Sequence, residues 1–193
     1  MTTVDTTDWN RNNDGTSKTS LGSALSYDTV RRVLAGHEAA HALVLLALGT
    51  PVVRTGVVDL PAAPGLEWEI TGGTKFEPGP MVGLDFVGYH AAGEVGGARI
   101  LDQLGITGPA ADALTSHHDD YATAAATVVK HGHTLPRTGP GLTWEAARLH
   151  ADLILAAHAD GFHDLTEAIV RGGVITGAEA AAAARIPTPP RSR

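Results

Sequence analysis

Gly36-His37-Glu38-Ala39-Ala40-His41-Ala42-Leu43-Val44 carries the pattern H-E-x-x-H inside a run that reads as one long helix. Residues four apart on a helix stand one above the other, so His37 and His41 can present two imidazoles to a single metal ion. Glu38 lies about 100° further round the helix. From there its carboxylate can reach a water on that ion without ligating it. Two His ligands, a water and an adjacent Glu make the donor set of a zinc hydrolase, with Glu38 as the general base. Working outward, Val30, Val33, Leu34, Val44, Leu45 and Leu48 share one stripe with both histidines, so the imidazoles point toward the core. A pair of hydrogen-bonded structural histidines would also fit that stripe. The mid-helix position, the small residues between the pair and the exclusion of water favour the metal.

The helix is expected to start at Asp28 as N-cap and to run to Leu48, where Gly49 suits the position past the end and Pro51 bars continuation. Gly36 inside it costs about 1 kcal/mol relative to Ala, which a close neighbour would explain. From Val52 the period changes. Residues 52–58 and 67–76 read as two β-branched strands separated by a Pro/Gly loop. Such a hairpin is either structural or an edge along which an extended substrate pairs. Residues 85–104 form a Gly- and Ala-rich helix able to lie very close to a partner, and Ser116 to Val129 read as another. Further helices are expected near 143–159, 164–171 and 176–185, the last two opened by Asp164-x-x-Glu167 and Thr176-x-x-Glu179. The fold class is therefore mainly α with a small β-hairpin or sheet. One folded domain over residues 27–185 is expected, between a flexible polar arm at 1–26 and a disordered tail at 186–193.

The chain has 193 residues, a formal net charge of −7 and no cysteine. The acidic balance argues against nucleic acid as the main partner. Without cysteine, disulfides and thiolate sites are excluded, so a metal must use His, Asp or Glu. The longest apolar stretch, broken by His41, is far short of the roughly 20 residues of a membrane span. No secretory leader is visible, and a soluble, cytoplasmic protein is expected.

A catalytic zinc site takes three protein ligands and leaves one position for water. A third His in the longer pattern H-E-x-x-H-x-x-G-x-x-H is absent, because Val44 stands in place of its Gly. A carboxylate from a later helix remains: Glu94 in the Gly-rich helix, or Asp119 or Asp120 in the cluster Ser116-His117-His118-Asp119-Asp120. His131, His133, His150, His158 and His163 are scattered beside loops or polar faces and read as structural or solvated.

The chain resembles the peptidase domain of FtsH-type AAA+ proteases. His37 to Val44 looks like that family's H-E-A-G-H-A-L-V with Ala40 in place of its Gly, and Ala92 to Arg99 looks like a degraded copy of its G-R-x-A-E-E helix. Ser116 to Thr127 is similar to the family's S-N-D-I-x-x-A-T, with Asp120-Tyr121 on its Asp-Ile, Ala124 on its Ala and Ala125 on its Thr. Residues 144–185 resemble its closing helices. The resemblance implies a zincin-like helical fold, Zn²⁺ on His37, His41 and Asp120, and an endopeptidase acting on unfolded or flexible polypeptides. It also implies an ATPase ring and an anchor, yet no phosphate-binding G-x-x-x-x-G-K-[ST] run occurs in the chain. A homo-oligomer or a separate ATPase partner is the corresponding expectation. The alternative function is a zinc-stabilised interaction module of the same fold that no longer cleaves.

Overall fold

The computed structural model describes residues 18–19, 25–77, 81–115 and 118–187. It is mainly helical with a small antiparallel sheet, and α1 (Tyr27–Ala47) runs through its centre. Ser26 caps this helix, its Oγ accepting from the Thr29 N–H, so the N-cap lies two residues before the Asp28 expected from sequence. Asp28 sits instead in the first turn, where an acidic side chain favours the helix dipole. From Val33 to Leu46 every residue of α1 is buried. A helix enclosed on all sides needs apolar residues all round, which Ala, Leu and Val supply here.

One flank of α1 is covered by β2 (Val52–Leu60) and β3 (Glu69–Phe76), the expected hairpin. The sheet is larger than that hairpin. β1 (Lys18–Thr19) pairs antiparallel with β3, and β4 (Val174–Thr176) pairs antiparallel with β2, giving the order β1-β3-β2-β4. Thus two residues of the N-terminal arm lie on the outer edge of β3. The rest of that arm, up to residue 24, falls outside the described residues, as do residues 188–193 of the tail. Ile186, at the start of the tail, packs on the main core and donates its N–H to the Ala181 carbonyl at 3.1 Å.

The other flank of α1 is covered by α2 (Gly83–Gln103). The two helices are close because their contact is made of glycine and alanine. A Cβ on Gly36 would stand 2.3 Å from Ile100 Cγ1, and one on Gly96 would stand 2.5 Å from both the Gly36 carbonyl oxygen and Ala40 Cβ. This is the near neighbour that the helix-weakening Gly36 called for.

Beyond α2 lie α3 (Pro109–Thr115), α4 (His118–Lys130) and α5 (Trp144–Ala157), followed by α6 (Ala159–Gly172) and α7 (Gly177–Ala184). Thr176 and Glu179 form the expected capping box of α7. Asp164 and Glu167 do not open a helix, since α6 begins five residues earlier. They pair with Arg185 and Arg32 respectively. The apolar interior forms two clusters. The larger surrounds α1, and the smaller joins α2, α4 and α5 through Val87, Ala91, Ala124, Val128, Trp144 and Ala147. Among the described residues no helix is long and apolar enough to cross a membrane.

Candidate metal centre

His37 and His41 leave α1 on the side of α2, one turn apart. His37 can lie there because α2 offers a glycine: a Cβ on Gly93 would fall 2.2 Å from His37 Cε1. His41 is oriented by backbone, its Nδ1–H donating to the Tyr89 carbonyl at 2.8 Å. That bond fixes the tautomer and turns Nε2 toward His37. The third member arrives from α4, the element of this site most distant in sequence from α1. Asp120 projects from the first turn of α4 onto the imidazole pair.

Among the described residues, the group of His, Asp and Glu placed to share a metal ion is His37, His41 and Asp120, whose ligand atoms all lie within 4.8 Å of one another. The two Nε2 atoms are 3.0 Å apart, and Asp120 Oδ2 stands 3.4 Å from that of His37 and 3.5 Å from that of His41. Three tetrahedral ligands at about 2.0–2.1 Å from a zinc ion are about 3.3–3.4 Å from each other. The observed triangle has that size. Asp120 Oδ2 is also buried and makes no hydrogen bond. A buried carboxylate oxygen facing two imidazole nitrogens is an unusual expense unless a cation completes it. Two imidazoles and one carboxylate suit a borderline metal such as zinc.

Without a metal the cluster holds itself together by charge. Burial alone pulls the His41 imidazole down, but the Asp120 carboxylate, then Glu38 and the Tyr89 carbonyl, outweigh it and raise its pKa from 6.5 to about 9. Burial pushes Asp120 up, and the charge of His41, with the nearby His90 and His37 imidazoles behind it, brings it well below the usual carboxylate range.

Glu38 points to the opposite flank, toward the sheet. Its Oε1 is 3.8 Å from His37 Nε2, and its Oε2 accepts from Thr74 Oγ1 at 2.9 Å. Gly72 on β3 makes room for it, since a Cβ there would stand 2.6 Å from Oε1 and 2.8 Å from Cγ. His37 and Glu38 are each 1% exposed and His41 4%, while the Asp120 side chain is 14% exposed, so the cluster meets solvent mainly past Asp120.

Glu94, the other carboxylate considered, is elsewhere. It accepts from Trp144 Nε1 at 2.9 Å and pairs with Arg148 at 3.0 Å, facing α5. His117 lies outside the described residues, and so do the side chains of His118 and Asp119. His131, His133 and His163 are exposed, and His150 pairs with Asp85 at 3.1 Å. Four participants escaped the sequence reading: the Tyr89 carbonyl, His90 with Nδ1 4.0 Å from Asp120 Oδ1, Thr74 and, behind it, Thr55. For the threonines no local pattern existed to find, because strand pairing brings them to Glu38. Compared with protein families and with curated proteins, the chain matches none of either.

Proposed function

We propose that this chain is a zinc-dependent endopeptidase resembling the FtsH peptidase domain, acting on unfolded or flexible polypeptides. The observation that carries the reading is the ligand triangle of zinc dimensions with a Glu carboxylate beside it, 3.8 Å from the His37 nitrogen that faces the cluster. His37 and His41 would hold the ion through Nε2 and Asp120 through Oδ2. Bound zinc would supply an acidified water and a polarised scissile carbonyl. Glu38 takes the proton of the attacking water at Oε1, the oxygen on the ligand side, and returns it to the leaving amine nitrogen. Burial excludes competing water and strengthens each of these interactions. Since the chain contains no phosphate-binding loop, cleavage by it is expected to proceed without ATP and to spare stable folded domains.

A specific observation favours a second reading, a zinc-stabilised interaction module. Glu38 is 1% exposed and the cluster meets solvent mainly past Asp120, which leaves an extended backbone little of the site to reach. One assay separates the two. Zinc-loaded wild type and Glu38→Gln are incubated with a disordered and a folded protein, with and without chelator. The peptidase reading expects chelator-sensitive cleavage of the disordered protein by wild type alone. Equal cleavage by both variants identifies a contaminant. Zinc-loaded wild type inert on several disordered proteins supports the module.

A further inference from the structure

Glu38 is held by a device on the sheet that its helix could not provide. A Glu side chain loses rotamer entropy when it is fixed, and a buried carboxylate needs donors. Both demands are met from β3 and β2. Thr74 Oγ1 reaches Glu38 Oε2 at 2.9 Å, and Thr55, directly opposite Thr74 in the strand register, reaches Thr74 Oγ1 at 2.7 Å. Thr55 is fully buried and also lies 3.2 Å from the Glu38 carbonyl oxygen. Each hydroxyl has one proton. The shortest consistent assignment has Thr55 donating to Thr74 and Thr74 donating to Oε2.

We propose that Thr74, backed by Thr55, is a positioning residue for the Glu38 carboxylate. It ties Oε2 to the sheet and so aims Oε1 at the ligand cluster. The proposal deepens the peptidase reading, on which its kinetic consequence rests. Several features make the arrangement more than incidental packing. Both residues are β-branched, so their χ1 angles are stiff and the hydroxyls are fixed by the strands. Gly72, two residues before Thr74 on the same face of β3, leaves the space the carboxylate occupies. The sheet therefore contributes a seat of one glycine and two hydroxyls. A chain of two hydroxyls ending on a carboxylate polarises in one direction and strengthens its last bond.

The test compares Thr74→Val, Thr74→Ser and Thr55→Val with wild type and Glu38→Gln. Valine keeps the shape of threonine and removes the donor, and serine keeps the donor. Thr74→Val is expected to bind zinc as wild type does and to lose about 10- to 100-fold in kcat at unchanged KM, the scale of a misaimed reacting group. Thr74→Ser is expected to restore kcat to within a few-fold, and Thr55→Val to fall between. A second readout needs neither metal nor activity. In protein labelled with ¹³C at the glutamate side-chain carboxyl, the Glu38 resonance is identified by its loss in Glu38→Gln. It is expected to move in Thr74→Val and to stay in Thr74→Ser. An unmoved resonance in Thr74→Val overturns the proposal, as does a kcat within twofold of wild type. Should wild type cleave nothing, a resonance that moves in Thr74→Val and stays in Thr74→Ser keeps the positioning role and removes the peptidase reading.

Discussion

The two halves of the candidate metal cluster are supported very differently. His37 and His41 belong to a helix enclosed by the larger apolar cluster, with every residue from Val33 to Leu46 buried. Asp120 belongs to α4, which presents only Ala124 and Val128 as buried apolar residues and leans on α2 and the loop before α5. There Tyr121 donates to the Leu135 carbonyl at 2.9 Å, packs edge-on to Trp144 at 5.3 Å and carries Arg137 over its ring. The core thus presets the two imidazoles, whereas a lightly anchored surface helix delivers the carboxylate. A metal spanning both would join the regions, and its binding free energy would appear as stability of the weaker one.

Removing the preset half should have the largest effect. His37→Ala or His41→Ala leaves two ligands, and purified protein is expected to fall from about one zinc per chain to none. Elemental analysis checks this, and full occupancy in the double variant would end the metal reading. Losing Asp120 comes next. Asp120→Ala is expected to weaken zinc binding by more than about 100-fold, the upper range for residues that merely support a ligand. Asp119→Ala and Glu94→Ala should bind as wild type does. Hydrogen exchange sharpens the contrast: zinc should slow the amides of α4 far more than those of α1. Comparable slowing in both helices would contradict the division drawn above.

A subtler break leaves every ligand in place. Gly93→Ala puts a methyl where His37 lies, 2.2 Å from Cε1, and the backbone of α2 is locked against α1 by Gly96. The ring must turn away. We expect zinc affinity to fall about 10- to 100-fold and stability to fall by about 1–3 kcal/mol, as for an overpacked core. Titration and denaturant unfolding read the two effects. Gly93→Ala with unchanged affinity would show that the ring has room the structure does not give it.

The same division explains what could be read from the sequence. The α1 half was legible because its information is local: a four-residue spacing, small residues between and an apolar stripe. The glycines of α2 announced a close partner, though not that Gly93 serves His37 and Gly96 serves Gly36. Asp120 was reached through the resemblance, since the residues alone left Glu94 and Asp119 open. The seat of Glu38 was not legible, because Thr55 and Thr74 meet it only once β2 and β3 have paired. β4 was missed for a similar reason. Val174–Thr176 is too short to show alternation, and its strand character comes from pairing with β2. The start of α6 was misplaced because Asp164 and Glu167 have cap spacing but serve ion pairs.

The smallest expected effect concerns the metal-free protein, where the ion pair of His41 and Asp120 is the link between the halves. The folded pKa of His41, about 9, lies above its ordinary 6.5. Its contribution is therefore fully present below about 6.5 and is lost as pH rises through about 9. For Asp120 the folded pKa is depressed, so its contribution is present above the ordinary carboxylate range and fails only in strong acid. Between neutrality and pH 9.5 the metal-free chain should lose about 2 kcal/mol from His41, or roughly 5 °C in Tm for a chain of this size. Zinc should remove the slope, because the metal needs the neutral imidazole and expels that proton on binding. For the same reason zinc affinity should rise with pH until about 9 and then level. Melting curves of metal-free wild type, zinc-loaded wild type and His41→Gln check the argument. An alkaline loss that persists undiminished in His41→Gln would assign the effect to another group and leave α1 and α4 without this link.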